Sequence, residues 1–295
     1  MFPLRVKRKW EYLRRCVIGG RSHCPNMTVE NRHSMDTDPA ELIGDPFLPP
    51  IHLRRRISHH IMGWYRWGTE FSCYLKMYCG LNKRSHVLEI GCNVGRNAYP
   101  LRSDIGPCGS YNGFDIDAEG IAYLQELYAP GYPQFHFTHA DLHNTHYNPD
   151  GIEAPEHFRF PYDDDSFDIA FAASIFTHML PNTTAHYFNE TARTLKPGGV
   201  FLCTFFVRDY YQGKGTNTFG DFEHDCPGFE QSCSVVSLEN PELLTAYSLD
   251  AIAKFARDAG FEKACTHLYG RWSGKFNNPF NDQEILVFRH GRIGT

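Results

Sequence analysis

Val87-Leu88-Glu89-Ile90-Gly91-Cys92-Asn93-Val94-Gly95-Arg96 joins an apolar strand, His86–Ile90, to a helical pattern over Arg96–Leu101 through a glycine-bearing turn. Glycines at such a turn let the backbone come close to a ligand and aim helix N–H groups at it. A dinucleotide-binding turn of the dehydrogenase kind requires glycine at positions equivalent to 91, 93 and 96. Those positions hold Gly91, Asn93 and Arg96, so two of the three glycines are missing. The distinguishing feature is instead an acid, Glu89, at the strand end just before the first glycine.

Downstream, strands and helices alternate. Strands are expected at Tyr111–Ile116, Phe135–His139, Phe167–Ala172 and Val200–Val207, with helices at Ala118–Leu127 and Thr183–Leu195. Lys196-Pro197-Gly198-Gly199 is expected to stop the second helix. Val200–Val207 is apolar almost throughout, as befits a strand covered on both faces. Ser248 is placed to cap a helix whose inward residues are Leu249, Ile252, Phe255 and Ala259, closed by Gly260. Residues 263–268 and 284–289 read as a closing pair of strands. Upstream, dense aromatic residues from about 57 onward predict one or two helices ending at Cys79-Gly80. The alternation implies a parallel sheet with helices on both faces, an α/β architecture.

Three further segments carry chemistry. Tyr111-Asn112-Gly113-Phe114-Asp115-Ile116 puts a carboxylate at the end of the second strand, about 20 residues beyond the glycines, where a ribose-binding acid belongs. A carboxylate there can accept two hydroxyl hydrogen bonds, each worth about 1.5–3 kcal/mol; the competing role for Asp115 is a helix N-cap. Thr138-His139-Ala140-Asp141-Leu142 places another acid after the third strand, for a ligand or for the turn itself. Phe176-Thr177-His178-Met179-Leu180-Pro181 leaves the carboxyl end of the fourth strand, the side on which open α/β sheets bind ligands. His178 is suited there either to take a proton from a hydroxyl or amine or to fix the first turn of the following helix.

Together these segments resemble the class I S-adenosylmethionine-dependent methyltransferases, whose first motif is written E/D-x-G-x-G-x-G, and within them a bacterial-type subgroup. The marks are V-L-E-I-G-C-x-V-G-R (Val87–Arg96), Y-x-G-F-D-I (Tyr111–Ile116), Y-N-P-x-G (Tyr147–Gly151), F-T-H-M-L-P (Phe176–Pro181), L-K-P-G-G (Leu195–Gly199) and Tyr269-Gly270-Arg271-Trp272-Ser273-Gly274. The resemblance covers about residues 60–290. It implies a Rossmann-like, doubly wound, mostly parallel seven-stranded sheet with a C-terminal antiparallel strand. It also implies S-adenosyl-L-methionine as cofactor and in-line methyl transfer to a small-molecule or glycan-like acceptor. By the same likeness Glu89, Gly91, Cys92, Asn93, Gly95, Asp115, Ile116, Asp141, Leu142 and Ser174 would hold the cofactor, with Asp141 at the adenine amino group and Leu142 against the ring. His178, Tyr210, Tyr211 and Trp272 would face the acceptor, His178 as the catalytic base.

Composition narrows the alternatives. Of 295 residues, 42% are hydrophobic and 15% aromatic, which suits a sizeable core and excludes disorder for most of the chain. No run approaches the roughly 18 apolar residues that cross a bilayer, and no early apolar stretch looks like a signal peptide. Ten cysteines without a C-x-x-C pair argue against a zinc ribbon, and no metal is expected. Several lie in apolar runs, so free thiols in a reducing, cytoplasmic compartment are expected. Charge is uneven: residues 1–60 carry 11 Lys and Arg against 6 Asp and Glu, while the whole chain stands at −5. The acidic remainder argues against nucleic acid as a partner.

Residues 1–56, basic and rich in proline, are expected to form an arm ahead of a methyltransferase domain over 57–295. The arm reads either as a solvated tail or as a peripheral contact with an anionic surface. Residues 208–245 are loop-rich and follow the fifth strand on the ligand side, which suggests a substrate lid. Two other functions fit the same motifs. One is a nucleoside-binding scaffold or regulatory subunit without catalysis; the other is an RNA or protein methyltransferase recruited by the basic arm.

Overall fold

The structure is a computed structural model and describes residues 45, 47–57, 61–128, 130–215 and 219–291. The expectation for residues 1–44 of the arm lies outside the described residues.

Strands β1 (His86–Ile90), β2 (Ser110–Asp115), β3 (Phe135–His139), β4 (Phe167–Ala172) and β5 (Leu195–Val207) pair in parallel. Chain order then brings β6 (His224–Asp225), β7 (Cys233–Val235), β8 (Thr245–Tyr247), β9 (Thr266–Leu268) and β10 (Glu284–Arg289). β10 lies antiparallel between β5 and β9. The order β3-β2-β1-β4-β5-β10-β9 is the expected seven-stranded sheet with its C-terminal antiparallel strand. Strand order reverses between β1 and β4, so a crevice opens beyond their carboxyl ends.

Strand alternation divides the core into two faces. Leu88 and Ile90 join Phe114, Ala170, Ala172, Phe201 and Phe205 on one face, covered by α5 (Pro181–Thr194) and α6 (Leu249–Asp258) through Tyr187, Phe188 and Ile252. Val87 joins Tyr111, Ile169, Phe171, Val200 and Leu202 on the other. That face is covered by α2 (Ile61–Cys79), α3 (Ala98–Leu101) and α4 (Ala118–Tyr128) through Phe71, Leu75, Leu101, Ile121 and Leu124. The predicted one or two upstream helices are the single α2, closed by Gly80 at φ +74°. Ser248 caps α6 as expected, its Oγ accepting from the Ala251 N–H at 3.2 Å.

Three differences from the sequence reading have clear causes. First, α5 ends at Thr194, just before Lys196-Pro197-Gly198-Gly199 as expected, but these residues already belong to β5, which starts at Leu195 rather than at Val200. Gly198 takes φ +80°, and the β4–β5 register slips between Phe167 and Ile169. The glycine accommodates an irregularity at the start of the strand. Second, residues 47–57 are not arm-like. α1 (Ile51–Arg54) is a helical turn, the Phe47 ring meets Tyr128 and Tyr132 edge-on at 5.3 and 5.0 Å, and Arg56 pairs with Asp117 at 2.7 Å. Third, residues 208–245 are more than a loop. β8 continues the sheet from Phe206 and Val207 of β5, β7 pairs antiparallel to β8, and β6 is outermost.

Candidate functional site

The turn after β1 is held by backbone. The N–H groups of Gly91 and Cys92 both donate to the Phe114 carbonyl of β2, at 3.0 and 3.1 Å. Gly91, Asn93 and Gly95 take φ +77°, +46° and +78°. A Cβ on Gly91 would overlap the Ile175 side chain. Asn93 stands where the resemblance has its middle glycine, and asparagine is the side-chain-bearing residue that enters this left-handed region with least penalty. Its Oδ1 accepts from the Val94 N–H at 2.8 Å. Mid-helix Gly68 of α2 also matters, because a Cβ there would run into the Arg96 carbonyl. The helix therefore packs backbone to backbone against the end of the turn.

Asp115 closes the same turn from β2. Its Oδ2 accepts from the Asn93 N–H at 2.7 Å and its Oδ1 from the Asp117 N–H at 2.9 Å. A carboxylate has about four lone-pair sites, so these two bonds leave acceptor capacity on both oxygens. Burial pushes the Asp115 carboxyl up to about 6, against the pull of the backbone donors from Asp117 and Asn93. Glu89 is different. It is 1% exposed, with the Asn97 amide donating to it at 2.7 Å and the Tyr111 hydroxyl also donating. Burial pushes its carboxyl up to about 7. Glu89 ties β1, β2 and the start of α3 together. Cys92 points into the core beside Gly113, so what it offers the turn is its backbone. Ile116 packs against the opposite core face.

The third acid is clamped by the Y-N-P-x-G segment. The Asn148 amide donates to Asp141 Oδ1 and to the Leu142 carbonyl, both at 3.0 Å. A Cβ on Gly151 would collide with the Leu142 backbone, so glycine is needed for the approach. The side chain of Leu142 is buried in the core.

Beyond β4 the chain turns at Ser174, with φ +65°. Its N–H donates to Thr204 Oγ1 at 2.7 Å, its Oγ accepts from the Gln283 amide at 2.6 Å, and Thr204 donates to Gln283 Oε1 at 2.6 Å. His178 ends the short turn Phe176–His178. Its Nδ1 lies 2.9 Å from the Leu243 carbonyl, which can only accept, so Nδ1 carries a proton, and whenever the ring is neutral Nε2 is the acceptor. Nε2 faces the Tyr147 hydroxyl at 3.4 Å, and the Tyr147 and His178 rings meet edge-on at 5.0 Å. The α5 N-cap, Leu180, makes no side-chain cap hydrogen bond.

Of the residues assigned to the acceptor, Tyr211 and Trp272 lie in a separate aromatic cluster. Trp272 is 1% exposed, stacks parallel to Tyr211 at 6.2 Å, and donates its indole N–H to Glu284 Oε2 at 2.6 Å. Burial pushes Glu284 up to about 7, and the Val207 N–H donates to it at 3.1 Å. Tyr210 stands among His267, Tyr269 and Phe276, with the Lys275 ammonium 4.7 Å from its ring centre.

Comparison with known proteins bears on the first group. A family model described as a methyltransferase domain matches residues 87–199, the span from β1 to the start of β5. Residues 87–199 are thus similar to a methyltransferase domain. The chain is similar to the O-methyltransferase cnsE of Penicillium expansum, 25% identical over 60% of this chain and 52% of that one. It is also similar to the tRNA N(3)-cytidine methyltransferase METTL2 of Bos taurus, 24% identical over 63% of this chain and 43% of the relative. The chain thus spans about half the length of the curated relatives it matches. The PH0226 protein of Pyrococcus horikoshii OT3 shares the fold, with a TM-score of 0.51 at 17% identity, covering 82% of this chain and 96% of that one. Among the described residues, no helix is long and apolar enough to cross a membrane.

The fold brings Asn93 and Asp115 into direct contact beside Gly91, and joins His178 to Tyr147. Sequence reasoning missed Ile175, Gln283, Thr204 and any role for Tyr147. Tyr147 was visible inside a quoted motif. Gln283 had no signal, since its partners lie 79 and 109 residues away.

Proposed function

We propose that this protein transfers a methyl group from S-adenosylmethionine to an oxygen or nitrogen of a small or medium-sized acceptor. The observation that carries the reading is Asp115. It is a buried carboxylate at the carboxyl end of β2, fixed by the Asn93 and Asp117 N–H groups yet retaining lone pairs, beside a turn in which Gly91 leaves no room for a side chain. That chemistry fits a ribose diol. Asp115 would hold the ribose, the Gly91–Gly95 turn the amino-acid part, and Asp141 with Leu142 the adenine.

When bound, S-adenosylmethionine supplies a methyl group on a sulfonium, a leaving group already activated by its charge. The protein's contribution is then alignment of donor and acceptor, which can supply about 7–11 kcal/mol. His178 would take the acceptor's proton on Nε2, with the Leu243 carbonyl keeping the ring in the required tautomer. Residues 208–245 would cover the acceptor, and they are tied to this region because Thr145 donates to Glu242 through both its N–H and its hydroxyl, at 2.6 and 2.7 Å. Incubation with methyl-labelled donor and fractionated extract tests the reading: label should appear in the small-molecule fraction. Label confined to tRNA would favour the second reading, which the likeness to a tRNA methyltransferase supports. Donor binding without transfer to any fraction would favour the scaffold.

A further inference from the structure

Cys226 and Cys233 face each other across the β6–β7 hairpin. The ladder pairs His224 with Val235 and Asp225 with Ser234, so the next residue, Cys226, comes opposite Cys233, and its N–H donates to the Cys233 carbonyl at 3.1 Å. Opposed residues of an antiparallel pair project to one face with Cβ atoms about 4.5–5.5 Å apart. A disulfide spans about 3.5–4.5 Å between Cβ atoms, so only a small closure is needed. Both thiols are free, both are buried, and each is hydrogen-bonded to the other. Neither takes part in the site described above.

The surroundings favour a bond confined to this pair. The segment between the cysteines already folds back, with the Phe229 N–H donating to the Cys226 carbonyl and the Cys233 N–H to the Phe229 carbonyl, at 2.8 and 3.1 Å. The Arg208 guanidinium, at the end of β5, donates to the Glu230 and Gln231 carbonyls at 2.8 and 2.9 Å. β6 is the outermost strand and both its residues are exposed. Edge hairpins open locally at low cost, which gives a small reagent access to otherwise buried thiols.

We propose that Cys226 and Cys233 are a modification site: they form a reversible disulfide by exchange with a low-molecular-weight disulfide of the oxidised glutathione type. One cysteine thiolate attacks the small disulfide, forms a mixed disulfide and displaces one small thiolate. The other cysteine thiolate then attacks the protein sulfur of the mixed disulfide, makes the Cys226–Cys233 bond and displaces the second small thiolate. Two protein thiols lose two electrons, one small disulfide gains them, and the two thiol protons end on the displaced thiolates. The product staples β6 to β7 beneath the carbonyls that Arg208 holds.

The full chain is equilibrated in oxidised or reduced glutathione, free thiols are trapped by alkylation, and the protein is cut after the exposed Glu230. In oxidised buffer the fragments carrying Cys226 and Cys233 should remain joined, both thiols escape alkylation, and reduced buffer should restore both. Cys226→Ser and Cys233→Ser should each abolish the joined species. The wild-type mapping stands even if a variant does not fold. Full alkylation of both cysteines in oxidised buffer, or joining of either fragment to a different cysteine, would overturn the proposal.

Discussion

The turn after β1 and the segment that follows β5 line the same end of the sheet but are built in opposite ways. In the turn, three left-handed residues within five positions make a backbone cradle, and its partner Asp115 lies 22 residues from Asn93. Beyond β5, the architecture depends on buried side chains that meet across long stretches of chain. Glu284 is shared by Trp272 and by Val207, 77 residues away, Glu242 holds Thr145 over 97 residues, and Leu243 holds His178 over 65. A backbone device of this kind serves a ligand of fixed shape. A side-chain network can be rebuilt for different acceptors without disturbing the cradle.

The contrast is broken most forcefully at Trp272. If it is an anchor, Trp272→Ala should destabilise the fold by about 3–5 kcal/mol, with S-adenosylmethionine affinity nearly unchanged in whatever remains folded. A stable variant that loses the donor would move Trp272 into the cradle. Asp115→Ala should behave in the reverse sense. Loss of two ribose bonds should weaken donor binding by about 2–4 kcal/mol, roughly 30- to 1,000-fold, and the Asn93 and Asp117 N–H groups left without an acceptor should lower stability by only about 1–3 kcal/mol. Calorimetry with equal affinities would remove Asp115 from the site.

Both halves contain a carboxyl that burial pushes up to about 7, Glu89 in one and Glu284 in the other. Because each folded-state value lies above the unfolded value of 4.5, the folded protein keeps a proton that the unfolded chain has released. Their contribution to stability is full below that unfolded value and is lost as pH rises through about 7. Chemical denaturation of wild type across this range should therefore show a decline on the order of 2 kcal/mol per carboxyl. Glu284→Gln should flatten the slope, whatever it does to absolute stability. An unchanged slope would mean that Glu284 stays ionised. The smallest effect is expected at Asn93. Glycine relieves the left-handed backbone but loses the bond to the Val94 N–H, so Asn93→Gly should alter stability by less than about 1 kcal/mol and donor affinity by only a few-fold. A much larger loss would give the Asn93 side chain a direct ligand role.

The same contrast explains what the sequence could reveal. Strand alternation, Ser248 as a cap and the Glu89–Arg96 turn are local patterns, and the fold follows them. Asn93 was readable as a departure from glycine, but its φ of +46° was not. Lys196-Pro197-Gly198-Gly199 marked the end of α5, but proline and glycine hid that β5 begins there, at Leu195, with a register slip. Residues 47–57 read as arm because their anchors, Arg102 over the Phe47 ring, Asp117 and Tyr128, lie far along the chain. The burial of Trp272 against Glu284 was not readable, because an aromatic in a glycine-rich loop looks alike whether it faces solvent or a buried carboxyl.

The central claim is that the turn after β1, closed by Asp115, holds an adenosyl donor and not a dinucleotide. Calorimetric titration of the full chain with S-adenosylmethionine and separately with NAD tests it directly. Saturable binding of S-adenosylmethionine that weakens as pH falls below about 6, where the Asp115 carboxyl takes up its proton, with no NAD binding at micromolar concentration, is the predicted result. Micromolar binding of NAD, or no binding of S-adenosylmethionine at neutral pH, would contradict it.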